Sequence, residues 1–170
     1  GPASVLEKNS PRPHREIFKL GIPVLGICYG HQVMACMLGG KVAKGKDREF
    51  GKETLSIMSK EGIFYSLAPR ETVWFSHGDQ VLVLPKGFKQ TASTTGCTYA
   101  AFADSKSNFY GIQFHPEVTH TKHGEKLLKN FLFSISKAKK NWKISSVVED
   151  IIAEVKSEVG DKHVVVGISG

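Results

Sequence analysis

Cys28 stands between two glycines in Gly26-Ile27-Cys28-Tyr29-Gly30. The apolar run Val24-Leu25-Gly26-Ile27 before it suits a short buried parallel strand, and the stretch from Gly30 to Leu38 after it has helical character. A nucleophile at such a junction projects from the carboxyl end of a sheet. Small residues two positions to either side let the neighbouring backbone pass. The N-terminus of the following helix lowers a thiol's pKa and offers N–H groups to a developing anion. The competing reading of Cys28 is a small apolar core residue. Its flanking glycines and its place at the junction favour a nucleophile elbow.

A thiol nucleophile needs a base, and the best placed is His115 in Gln113-Phe114-His115-Pro116-Glu117, after another strand candidate. Pro116 restricts the backbone on both sides, and Glu117 is near enough to orient His115 and stabilise its protonated form. By itself a histidine after a strand is more often structural, so His115 draws its weight from the pairing with Cys28. The other candidates have plainer readings. Cys36 belongs to the core, Cys97 beside Gly96 to a loop or strand edge, and His120 and His123 to a solvated helix start. No H-E-x-x-H pattern is present, and no metal site is expected. The side chain of His31 is expected on the helix and away from the site. Gln32 on its own is a polar helix residue, Ser76 a turn residue and Asp79 a loop-shaping one.

The positioning elements follow from periodicity. Gly39-Gly40 stops the helix after Cys28. Further strands are expected over Thr54–Met58, Thr72–Phe75, Phe88–Ser93, Tyr99–Ala103 and Phe109–Phe114, and a long helix from Thr121 to about Ile135. This mixture predicts an α/β domain with its sheet covered on both sides. After the basic stretch Lys137, Lys139, Lys140 and Lys143, Ser146-Val147-Val148-Glu149 has capping-box spacing. Val148, Ile151, Ile152, Val155 and Val159 then recur at helical spacing, and Val164 to Gly170 reads as a strand entering a glycine-containing loop. The expected division is therefore 1–140 and 141–170, with the chain continuing at both ends.

Composition bounds the classes. The chain has 170 residues and 41% apolar content, enough for one substantial core. No apolar run nears the roughly 20 residues of a membrane helix and no signal-peptide pattern is present, so the expected compartment is cytoplasmic, without membrane association. The three cysteines have neither disulfide-framework nor C-x-x-C spacing and are expected to be free thiols. The net charge of +7 is spread along the chain without interleaved aromatics, which argues against a nucleic-acid partner.

Gly26-Ile27-Cys28-Tyr29-Gly30-His31-Gln32 and Phe114-His115-Pro116-Glu117, in this order, resemble the class I glutamine amidotransferases. The resemblance implies a flavodoxin-like sheet with flanking helices, N-terminally incomplete, followed by the beginning of a second α/β domain. It implies Cys28 as nucleophile, His115 as acid-base residue and Glu117 as its orienting partner. The family's oxyanion-hole glycine corresponds to Gly1 in Gly1-Pro2-Ala3-Ser4-Val5, with the Tyr29 N–H as second donor. Gln32, Ser76 and His77 resemble the positions that hold the amino-acid end of glutamine.

Within the family, Cys28-Tyr29-Gly30, Arg48-Glu49-Phe50-Gly51 and Ser76-His77-Gly78-Asp79 are similar to the branch serving GMP synthesis rather than carbamoyl phosphate, anthranilate or CTP synthesis. Residues 141–170 resemble the passage into an ATP-pyrophosphatase domain, with Ser169-Gly170 as the start of its phosphate loop. No cofactor is implied for this portion. ATP, magnesium and XMP are implied for the remainder of such an enzyme, with homodimerisation through its C-terminal regions. Two other classes remain at this stage: a catalytically silent glutaminase-like module that binds and regulates a synthetase, and a cysteine peptidase.

Overall fold

A computed structural model describes residues 4–141, 144–165 and 167. The chain divides into two compact units, Gly1–Lys137 and Ala138–Gly170.

In the first unit the apolar run before Cys28 forms β1 (Val24–Ile27), and the chain turns at Cys28 into α1 (Tyr29–Met37). Leu38 caps α1, and Gly39, at φ +97°, leads the chain out. The hairpin of β2 (Lys41–Ile57) and β3 (Arg70–Val83) follows, then β4 (Lys89–Ser93), β5 (Ala101–Asp104) and β6 (Phe109–Ile112). Among the described residues these make a six-stranded sheet in the order β1-β6-β5-β4-β2-β3. β1 and β6 pair in parallel, and the other pairings are antiparallel.

Both faces of the sheet are covered, as β5 shows. Ala101 and Ala103 join Phe64, Phe75, Ile112, Phe114 and Leu127 on one face, while Phe102 joins Met34, Ala35, Val81 and Phe109 on the other. α1 and Phe18 cover the second face. The short 3-10 turn Gly62–Phe64, α2 (Gly124–Lys129) and the following π turn (Asn130–Ile135) cover the first.

Two expectations about elements are corrected here. β3 does not end at Phe75: Ser76-His77-Gly78-Asp79 lies inside it, still paired with β2 through Glu49↔His77 and Lys44↔Asp79. The alternation Val73, Phe75, His77, Asp79, Val81 is buried throughout, so the structural period continues where the apolar period stops. The helix expected from Thr121 begins only at Gly124, because the Thr121 hydroxyl accepts from the Trp74 N–H at 3.1 Å and donates to the His115 carbonyl at 2.5 Å. Beyond Lys129 it widens to the π form. There the Asn130 side chain donates to the Ile63 and Tyr65 carbonyls at 3.0 and 2.9 Å.

In the second unit, α3 spans Ile144–Val159. Ser146 is its third residue rather than its N-cap, because neither Ile144 nor Ser145 interrupts a helix. The apolar positions Val148, Ile151, Ile152 and Val155 form an exposed stripe. Val164 and Val165 follow in no strand, since a strand needs a neighbour to take its ladder bonds and none pairs with them among the described residues. Ser169 and Gly170 lie outside the described residues.

Candidate active site

The parallel pairing of β1 with β6 brings the two sequence motifs together. Parallel neighbours end at the same edge of a sheet, so the residues after Ile27 and after Ile112 emerge side by side. The Cys28 N–H donates to the Ile112 carbonyl at 2.8 Å, and the His115 N–H to the Trp74 carbonyl at 3.0 Å. Cys28 is held at φ +50°, ψ −103°, a backbone conformation rare for a residue with a side chain. A Cβ at Gly26 would lie 2.6 Å from the Gly30 carbonyl oxygen, so the first turn of α1 closes onto β1 only because Gly26 has no side chain.

The thiol is nearly buried. Its Sγ approaches the Ser76 carbonyl at 3.7 Å and accepts from the Gln113 side-chain amide at 3.7 Å. Burial raises the Cys28 pKa above the ordinary thiol value. The Tyr29 N–H and the Gln113 amide oppose that rise, and the negative charge of Glu117 adds to it. The lowering expected from the helix N-terminus is thus outweighed by desolvation.

His115 Nδ1 and Glu117 Oε1 stand 2.6 Å apart, with the ring mostly buried and the carboxylate half exposed. Two features hold the segment between them. Thr121 takes the His115 carbonyl, and Gly124 packs so closely on Pro116 that a Cβ would lie 1.9 Å from its carbonyl oxygen. An imidazole paired with a carboxylate through Nδ1 keeps Nε2 free for proton transfer.

The remaining predicted residues fall in different places. Gln32 is buried in the first turns of α1 and donates to the Asp79 carbonyl at 2.8 Å and to Gln113 Oε1 at 3.0 Å. Ser76 reaches Cys28 through its backbone carbonyl. The His77 side chain is buried against Glu49 and the Asp79 carbonyl. Asp79 accepts from the Ser4 hydroxyl through its side chain, so it ties β3 to the start of the described chain rather than shaping a loop. Gly1 lies outside the described residues.

The secondary candidates are corrected by their surroundings. Cys36 is only partly buried, because it sits on the outer flank of α1, whereas Cys97 is fully buried. The His120 ring packs at a tilt against Trp74 with ring centroids 4.4 Å apart, and His123 pairs with the buried Glu71 at 2.6 Å. Neither is simply solvated. His31 is fully buried, stacked on Phe102 at 4.4 Å. Sequence reasoning missed Gln113, Thr121 and Gly124. Gln113 offered one signal, a polar side chain at the end of an otherwise apolar strand.

A family model described as glutamine amidotransferase class-I matches residues 1–135. Among curated proteins, the glutamine-hydrolyzing GMP synthase of Vibrio vulnificus (strain CMCP6) is 46% identical over 170 residues, which is 100% of this chain and 33% of that protein. The enzyme of the same name from Aliivibrio fischeri (strain ATCC 700601 / ES114) is also 46% identical, with the same coverage. The chain therefore spans about a third of the length of the curated relatives it matches. Among solved structures, a protein assigned as a GMP synthase subunit, from Thermoplasma acidophilum, superposes with TM-score 0.68 at 36% identity, covering 81% of this chain and 64% of that one. A glutamine amidotransferase from Thermotoga maritima gives TM-score 0.56 at 29% identity, covering 85% and 60%.

Proposed function

The chain belongs to the class I glutamine amidotransferase family, and on that premise we propose that it hydrolyses glutamine to glutamate and ammonia as the glutaminase portion of a GMP synthase. One observation carries the reading: a thiol in a strained strand-to-helix elbow and a His115–Glu117 pair at 2.6 Å emerge from neighbouring parallel strands.

In this mechanism His115 takes the proton of the Cys28 thiol, and the resulting thiolate attacks the side-chain amide of glutamine. The Tyr29 N–H, and by family analogy Gly1, stabilise the tetrahedral oxyanion. Glu117 stabilises the ring charge created by that proton transfer and holds the ring in place, and His115 then gives the proton to the departing ammonia. Water activated by His115 then hydrolyses the thioester, releasing glutamate. Gln32, Ser76 and His77 are the positions that the family resemblance assigns to the amino-acid end. The Ser76 carbonyl receives the Cys28 thiol, while the side chains of Gln32 and His77 are engaged internally. They would shape that end rather than touch it.

The ammonia would aminate XMP in an ATP- and magnesium-dependent synthetase portion of the parent enzyme, a cytoplasmic homodimer on this reading. No described helix is long and apolar enough to cross a membrane. The test is glutamate release by the parent protein, wild type against Cys28→Ala, with ATP and XMP present and then omitted. Cys28-dependent release that rises with both is the expected result. Absence of release from folded protein under every condition would leave a silent binding module instead.

A further inference from the structure

Glu49 and His77 face each other across the β2–β3 ladder, at the position where its register shifts. Glu49 Oε2 and His77 Nε2 stand 3.0 Å apart, with the two side chains 10% and 2% exposed. Neither atom has a hydrogen-bond partner among the described residues. The reason lies on the other side of the ring. His77 Nδ1 is 3.0 Å from the Asp79 carbonyl, which can only accept, so Nδ1 carries the ring proton. In the neutral ring Nε2 is then a lone pair, directed at a carboxylate oxygen that is also an acceptor. Two buried acceptors at this distance need a proton or a metal ion between them.

Cys97 completes the cluster. Its Sγ, a Glu49 carboxylate oxygen and a His77 ring nitrogen all lie within 4.8 Å of one another. We propose that Glu49, His77 and Cys97 bind a divalent transition metal of the zinc class, in a tetrahedral site whose fourth position is taken by water.

A thiolate, an imidazole and a carboxylate are the ligand types zinc accepts. Ligands at about 2.0 to 2.3 Å from a tetrahedral ion stand roughly 3 to 4 Å apart. Outer bonds of the expected kind are also present. The His77 ring N–H is held by a backbone carbonyl, and the Thr94 hydroxyl donates to the other Glu49 oxygen at 3.5 Å. The turn carrying Cys97 is closed by Thr94 and Cys97 at both ends, the Cys97 N–H donating to Thr94 Oγ1 and the Thr94 N–H to the Cys97 carbonyl, each at 2.9 Å. Gly96 in that turn admits the carboxylate, since a Cβ there would lie 2.3 Å from Glu49 Oε1.

Coordination would replace the Cys97 S–H proton and release it to solvent. The site would fasten β2, β3 and the turn before β5 immediately behind Ser76, the residue whose carbonyl receives the Cys28 thiol. Its role is structural support for the nucleophile's wall and is independent of whether Cys28 hydrolyses glutamine.

The experiment uses the full chain, stripped with a chelator and titrated with Co(II), read by visible absorption for tetrahedral and thiolate-to-metal bands and by metal analysis. One equivalent is expected to bind, with the thiolate band kept in Cys28→Ser and lost in Cys97→Ser. Glu49→Gln, nearly isosteric, should keep the fold by circular dichroism and weaken Co(II) binding at least about tenfold. Sub-stoichiometric binding by wild type would overturn the proposal and leave a shared proton between Glu49 and His77. So would a thiolate band that follows Cys28, or Co(II) affinity unchanged by Glu49→Gln.

Discussion

The Gln113 amide donates to Cys28 Sγ at 3.7 Å and, through its oxygen, accepts from Gln32 at 3.0 Å. A fully buried side chain with one donor on the nucleophile and its acceptor fixed from behind is a positioning residue for the thiol. It favours the charged form, against the burial that raises the Cys28 pKa. A hydrogen bond to a charged group contributes about 1.5 to 3 kcal/mol. Gln113→Leu should therefore shift the pH profile of Cys28 alkylation upward and lower glutamate release about 10- to 100-fold at neutral pH, mainly in kcat. An alkylation profile identical to wild type would remove Gln113 from this role.

Glu117 acts on the two halves of the site in opposite directions. Paired with His115, it stabilises the ring charge that turnover needs, while its own charge raises the Cys28 pKa. Glu117→Gln should consequently lower the Cys28 pKa and speed alkylation at a fixed pH near neutrality, yet slow glutamate release, by about 10-fold or more if His115 is the acid-base group. Alkylation and turnover falling together would point instead to a general collapse of the site.

His31 predicts an acid limit to stability. Buried under the sheet with Nε2 on the Tyr99 carbonyl at 3.0 Å, it is held neutral by desolvation, its pKa lowered from 6.5 to about 3. Between those values the unfolded chain binds a proton that the folded chain refuses, so stability rises with pH. The contribution is complete above the unfolded value and is lost as pH falls toward the folded one. Moving from about pH 6.5 to about pH 4 should remove roughly 3 kcal/mol. His31→Gln keeps a donor for Tyr99 and removes the titration, so its urea midpoint should change less across this range. Equal pH dependence in both proteins would place the acid sensitivity elsewhere.

Cys28, His115 and Glu117 were legible because each sits in a short string whose residue types restrict the backbone: two glycines at a junction, and a proline between base and acid. The α/β class followed from the apolar strand feeding a helix. The full length of β3 was hidden because His77 and Asp79 occupy inward positions that apolar periodicity cannot reveal, their polar atoms being taken up by neighbours distant in sequence. The direction of the Cys28 pKa was hidden for a similar reason. A helix N-terminus can be read from local sequence, whereas the desolvation that outweighs it depends on Gln113 and Ser76 closing over the sulfur. Cys97 looked like an edge thiol because Gly96 reads as a turn, and only the fold shows that turn pressed onto Glu49.

The elbow makes unequal use of its two glycines. Sequence reasoning assigned both Gly26 and Gly30 to steric clearance, but a Cβ at Gly26 would meet the Gly30 carbonyl oxygen and carbon at 2.6 and 2.7 Å, while at Gly30 nothing lies within 4 Å. Gly26→Ala must push the first turn of α1 away from β1, a backbone overlap that no rotamer change relieves, and should cost about 1 to 3 kcal/mol or more. Because Cys28 lies between the separated segments, glutamate release should fall by a larger factor than stability alone explains. Gly30→Ala instead replaces a glycine inside a helix and should leave stability unchanged or raise it by up to about 1 kcal/mol. Urea unfolding of the two variants checks this directly. Equal destabilisation would mean that Gly30 is needed for a close approach of its own, and that the clearance is shared across the junction.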